Sequence, residues 1–283
     1  VVDGKVSPRW LPNLSNINNL SYLSGIILLF AGVEVQAVHA SEMENPKKQY
    51  PLAIFISSII VFALFTFGSL AIAAVVPNSQ LQLESGLMQA LSTMLNAVNM
   101  KWAMYILAFC VAFGSLGGVL SWISGPSKGL LSTAKDGILP ETLAKTTKSG
   151  APKNMMLIQG FIVTILACLY FVMKDVSVAF FLLSALTVAV YIIMYLMMYM
   201  AAIVLRKSQP NLERPYKAPA LPLLAGIGIL AAIFALVLSF VPPSQLPIGN
   251  PASYIAIVAI GTIGFFIIPL IIAKVRKNKI INQ

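Results

Sequence analysis

Seven windows of predominantly apolar residues, 21–40, 52–76, 102–123, 155–173, 178–205, 221–241 and 254–273, alternate with short segments that hold most of the charges. A helix needs roughly 20 such residues to cross about 30 Å of hydrocarbon, so each window predicts a transmembrane helix. Backbone in lipid must bond to itself, which leaves helices or a closed barrel, and no window shows the period-two alternation of a barrel strand. The pattern therefore predicts an all-α membrane protein with seven transmembrane helices.

Proline and glycine punctuate the same boundaries. Asn45-Pro46, Tyr50-Pro51, Leu139-Pro140 and Gly150-Ala151-Pro152 predict helix ends and starts, because the residue before proline is pushed out of the helical region while proline suits a first turn. Residues 127–135 are helical in composition but too short and charged to span. They predict a cytoplasmic surface helix that stops at Asp136-Gly137.

Composition agrees with membrane embedding. Hydrophobic residues make up 58% of the 283 and charged residues 10%, with a mean hydropathy of +0.87, a balance that a soluble core of this size does not hold. A net charge of +10 fits nucleic acid when it is gathered in a groove, but here the basic residues lie between apolar windows. No nucleic-acid partner is expected; the lipid bilayer is. Counted over alternate loops, one side collects Lys47, Lys48, Lys128, Lys135, Lys145, Lys148, Lys153, Arg206, Lys207, Arg214, Lys217, Lys274, Arg276, Lys277 and Lys279, and the other holds Lys5, Arg9, Lys101 and Lys174. The positive-inside rule then places the C-terminus in the cytoplasm and an N-terminal segment 1–20 outside, and the basic cluster 274–279 reads as a stop-transfer anchor. The start Val1-Val2-Asp3 lacks Met and a signal peptide, so a fragment is expected. Cys110 and Cys168 fall inside apolar windows and read as small buried hydrophobes.

Of the nine acidic residues, Glu34 alone lies well within a predicted span. An acidic residue at a helix centre costs roughly 2.5–3.5 kcal/mol on insertion scales, so it marks a polar cavity or partner. The bland alternative is a structural hydrogen bond to a neighbouring helix. Gly32 beside it permits a helix break, and a break near mid-membrane exposes backbone groups to a substrate. Tyr191, Tyr195 and Tyr199 recur every four residues on one helix face; Tyr199 suits an interfacial belt, while the deeper Tyr191 and Tyr195 need hydrogen-bond partners. Gly114, Ser115, Gly117, Gly118, Ser121, Ser124 and Gly125 predict close helix packing in the third window. His39, the sole histidine, reads as a satisfied helix-end residue. With no Walker A pattern, dinucleotide fingerprint or HExxH motif, no cofactor, bound metal or enzymatic activity is expected.

Several of these segments together resemble a known family. Gly32-Val33-Glu34 followed by His39, Glu42-Met43, Asn45-Pro46 and Tyr50-Pro51-Leu52-Ala53 is similar to the sixth helix and following loop of the amino acid/polyamine/organocation superfamily, most closely its bacterial glutamate/γ-aminobutyrate antiporters. Ser121-Trp122-Ile123-Ser124-Gly125-Pro126-Ser127-Lys128-Gly129 resembles the exit of that family's eighth helix. Tyr191 and Tyr195 stand where its tenth helix has paired tyrosines, and Arg214-Pro215-Tyr216-Lys217 with Pro219 resembles the loop before helix eleven. Gly118 stands where the glutamate antiporters carry an acidic residue.

The resemblance implies the second half, helices six to twelve, of a twelve-helix inverted-repeat, leucine-transporter-like fold. Residues 21–205 would form the second repeat and 206–283 two further helices and a short basic tail, with the N-terminal first repeat absent. It implies a secondary amino-acid antiporter of the bacterial inner membrane, working by alternating access on an amino acid or its decarboxylated amine. Substrate would be held at Phe30, Ala31, Gly32, Val33 and Glu34 with Tyr191 and Tyr195, and Glu34 would carry proton coupling or pH sensing. Rival expectations are a proton-coupled permease and, from another class, a seven-span receptor.

Overall fold

The architecture was established from a computed structural model, which describes residues 17–77, 80–82, 85–173, 175–214, 216–243 and 250–281. Nine α-helices occur among the described residues: α1 (Ile17–Phe30), α2 (Pro46–Val75), α3 (Gly86–Ala97), α4 (Ala103–Lys135), α5 (Lys153–Ala167), α6 (Leu169–Val172), α7 (Val176–Ser208), α8 (Leu221–Ser239) and α9 (Pro251–Ile281). Two 3₁₀ segments, Val33–Glu42 and Glu141–Ala144, complete them, and no strand is found among the described residues. Among the described residues, six helical stretches are long and apolar enough to cross a membrane: α2, α4, α5 with α6, α7, α8 and α9.

The first predicted window, 21–40, is not one helix. α1 has 14 residues, about 21 Å at the usual rise, too short to span alone. It stops at Phe30, and the chain resumes as the ten-residue 3₁₀ limb Val33–Glu42. The last residues of the predicted external segment 1–20 are helical, opening α1, while 1–16 lie outside the described residues.

The chain forms two compact units. Among the described residues, one comprises 17–58 and 178–271, the other 59–177 and 272–281.

In the first unit α7 carries the buried core. Its Ala179, Leu182, Ala185, Leu186, Val188, Ala189 and Ile192 follow a helical period and are all buried. Val188 and Ile192 cluster with Ala232 and Ala235 of α8, with Leu196 and Leu236 alongside. Apolar side chains gain little by leaving lipid for protein, so small residues that permit close contact matter here. A Cβ on Gly261 of α9 would stand 2.7 Å from Leu186 Cδ1. Tyr254 and Val258 of α9 are buried, and the Tyr254 hydroxyl donates to the Ser239 carbonyl at 3.1 Å. α1 packs on α8, with Ser21 and Ser24 buried and Ser24 Oγ donating to the Ser21 carbonyl at 2.6 Å.

In the second unit α4 packs against α3 and α5. The predicted separate surface helix 127–135 is instead the last part of α4, which runs unbroken through Pro126. Proline removes the N–H that would have bonded to the Trp122 carbonyl. Gln159 Nε2 of α5 takes that carbonyl at 3.2 Å, and Ser127 Oγ holds Gln159 Oε1 at 2.9 Å, so nothing is left unsatisfied and the helix continues. It ends as expected at Lys135, with Gly137 at φ 81° and its N–H on the Ala134 carbonyl at 3.1 Å. Leu131, Ala134 and Met155 bury one another beneath Leu139, Leu143 and Ala144.

Three other expectations are corrected. The small-residue face of α4 is not closely packed by the described residues of this chain, since a Cβ on Gly114, Gly117 or Gly118 would meet nothing within 4 Å. Cys110 and Cys168 are exposed free thiols rather than buried. Pro51 lies inside α2, which already starts at Pro46; only one ladder bond is lost that near an N-terminus.

Candidate functional site

The site grows from the interruption after α1. Gly32 has φ 101° and ψ −8°, a left-handed conformation that costs a residue with a side chain roughly 1–2 kcal/mol. The turn at Ala31 and Gly32 redirects the chain so that Val33 opens the 3₁₀ limb, with the Val35 N–H on the Gly32 carbonyl at 3.1 Å. Runs of 3₁₀ helix beyond three or four residues are uncommon and mark strained or hinge segments, and this one has ten.

Glu34, the second residue of the limb, turns its carboxylate back over the break. Its Oε2 accepts the Gly32 N–H at 3.2 Å, and its Oε1 accepts the Tyr191 hydroxyl of α7 at 2.8 Å. Tyr195, one turn further along α7, interacts with the same carboxylate and with the Gly32 backbone. The rings of Tyr191 and Tyr195 meet edge to face, 5.2 Å between centroids at 72°. Glu34, Gly32, Tyr191 and Tyr195, singled out in the sequence, are thus brought together within one unit, Phe30 ending α1 and Ala31 and Val33 flanking the turn.

Two residues missed in the sequence join them. Tyr50 of α2 feels the Glu34 charge; lying beside Pro51, it looked like part of a loop boundary. Gly228 of α8 is the second, because a Cβ there would stand 2.8 Å from Tyr199 Cζ. Tyr199 is therefore a packed member of the stripe, 6.4 Å from the Tyr195 ring. The Gly226-Ile227-Gly228 pair of glycines was the one available signal. His39 donates from Nδ1 to Glu42 Oε2 at 2.8 Å near the end of the limb, as expected of a satisfied helix-end residue.

Chemically, the cluster is a carboxylate with lone pairs to spare beyond its two donors, walled by phenols that donate, accept and offer π faces. Next to it an interrupted helix presents carbonyls at the end of α1 and amides at the start of the limb that lack full helical partners. Such a place matches the charged ends of a small zwitterion or amine.

Comparison with known proteins fits this geometry. A protein of Legionella pneumophila described as an uncharacterized transporter is 38% identical over 278 residues, covering 97% of this chain and 60% of that protein. A glutamate/gamma-aminobutyrate antiporter of Lactococcus lactis is 35% identical over 277 residues, covering 95% of this chain and 55% of the relative. A "probable agmatine/putrescine antiporter" of the same species is 26% identical over 283 residues, 95% of this chain and 58% of the relative. The chain thus spans between half and two thirds of the length of these relatives. The model of the amino acid permease family matches residues 2–265, and with a carboxylate, two tyrosines and a broken helix at its centre this chain belongs to that family, within the amino acid/polyamine/organocation superfamily.

Proposed function

We propose that the protein is a secondary amino-acid transporter that exchanges an amino acid for an amino acid or its decarboxylated amine by alternating access. The observation that carries this reading is the 2.8 Å bond from Tyr191 to Glu34 across the interruption between α1 and the 3₁₀ limb. A substrate ammonium is recognised by Glu34, its carboxylate by amides of the interruption, and Tyr191 and Tyr195 contact the body of the substrate. Relatives named as antiporters for glutamate with gamma-aminobutyrate, and for agmatine with putrescine, support exchange of an amine or amino acid. On this reading residues 21–205 act as the second repeat of an inverted-repeat fold and 206–283 as two accessory helices. Sequence corresponding to the rest of the relatives' length supplies the first repeat. The protein works in the bacterial plasma membrane with its C-terminus in the cytoplasm, as the distribution of lysine and arginine supports.

Uptake of labelled substrate by proteoliposomes carrying the full-length protein, with the first repeat present, tests the reading. Flux that requires amino acid or amine on the far side is the expected result. Flux driven by a proton gradient without internal substrate would transfer the protein to the proton-coupled permeases, with Glu34 as carrier, and absence of flux would remove the transport reading.

A further inference from the structure

The corner between α4 and α5 contains a cleft whose lining shares no residue with the Glu34 cluster. Its volume is about 290 Å³, and Leu130, Leu139, Leu143, Met155, Ile158 and Ile162 form its walls. The polar groups on its rim, Ser127 and Gln159, are bonded to each other and to the Trp122 carbonyl, so their hydrogen-bonding capacity is turned away from the space. An apolar cleft of this kind binds hydrocarbon.

Its surroundings are charged in one sense. From the last part of α4 to the start of α5 the chain carries Lys128, Lys135, Lys145, Lys148 and Lys153 against Asp136 and Glu141. Lysines at this density mark the boundary between hydrocarbon and water, where each attracts an anionic lipid surface. The first turn of α5, whose helix has 15 residues, has no side-chain cap; its Lys153 and Met156 amides are taken by the Ala151 and Pro152 carbonyls, and the helix dipole with the amides between them favours an anion. Met155, Ile158, Gln159 and Ile162 follow at helical spacing along the same helix, on the cleft. Anionic headgroup attraction and hydrocarbon space therefore occur within two turns of one another.

We propose that this cleft is a binding site for an anionic phospholipid, one acyl chain lying against Leu130, Leu143 and Ile158 and the phosphate meeting Lys128, Lys153 and the start of α5. A zwitterionic phospholipid offers the same chains without the net charge, so headgroup selectivity is the property to measure.

Trp122, one turn before Pro126, is the reporter. With every other tryptophan of the full-length protein replaced by Phe, Trp10 and Trp102 among them, the protein is reconstituted in phosphatidylcholine vesicles, and its fluorescence is followed as lipid with brominated acyl chains is added, either phosphatidylglycerol or phosphatidylcholine. Brominated phosphatidylglycerol should quench at lower mole fraction. Lys128→Gln and Lys153→Gln should each reduce that preference, by up to about fivefold per lysine, while Leu143→Phe should weaken quenching by both lipids. Equal quenching by the two headgroups would reduce the cleft to ordinary lipid contact and overturn the proposal. Quenching by neither would show that protein covers the cleft and would overturn it equally. Neither measurement depends on substrate transport.

Discussion

Glu34 has each carboxylate oxygen on a different kind of donor, a backbone amide that belongs to the turn and a phenol that belongs to α7. Tyr191→Phe removes one donor while keeping the ring and its edge contact with Tyr195. Hydrogen bonds to charged groups contribute about 1.5–3 kcal/mol, so if the bond organises the site, uptake efficiency should fall by about tenfold or more with normal membrane insertion. Unchanged uptake would make the bond structural decoration. Glu34→Gln keeps the shape and removes the charge. It should abolish selection for substrates with an ammonium group, and if Glu34 is the proton-sensitive group it should also flatten the pH profile of uptake measured at saturating substrate. A variant with the parental rate and pH profile would remove Glu34 from the mechanism. Gly228→Ala acts at a distance from the carboxylate through Tyr199, whose ring has no room for a methyl group 2.8 Å away. Overpacking of this size costs about 1–3 kcal/mol, and a lowered midpoint of thermal unfolding in detergent should register it.

Among the elements, α4 shows how a residue that ends helices can be built into one. Its continuation past Pro126 depends on Gln159 taking the Trp122 carbonyl. Gln159→Leu should leave that carbonyl unsatisfied at a cost of about 1–3 kcal/mol. Pro126→Ala restores the missing N–H, so the same Gln159→Leu change should cost far less in that background. Thermal unfolding of the two single variants and the double variant measures the coupling, and strictly additive effects would refute the compensation. Arg214 performs a related service at the end of α7, where its guanidinium donates to the Leu205 carbonyl at 2.8 Å and the Leu212 carbonyl at 3.0 Å. That accounts for one residue of the motif Arg214-Pro215-Tyr216-Lys217. The 12-residue α3 escaped a search for membrane-length windows because its amphipathic pattern is too short to register as a span.

Over the whole molecule, the distribution of basic residues predicts an orientation that labelling can check. With Cys110 and Cys168 replaced, a cysteine at Ser149 or Ser208 should react with an impermeant reagent from the cytoplasmic side, and one at Ser244, outside the described residues, from the opposite side. Labelling of position 149 in intact cells would reverse the topology. What the amino-acid order alone determined is the class of the protein and the places where its helices run: apolar length and loop charge are one-dimensional quantities, set by the thickness of hydrocarbon and the cost of moving charge through it. The order also singled out Glu34 and Gly32, since a carboxylate inside an apolar window is conspicuous before any contact is known. Tertiary structure alone decided which partner the carboxylate takes, because Glu34 and Tyr191 are 157 residues apart along the chain. The same holds for the fate of Pro126 and the packing of Tyr199. Each depends on a group from another helix, Gln159 in one case and Gly228 in the other, and local propensity carries no information about which distant atom arrives to satisfy a carbonyl or leave room for a ring.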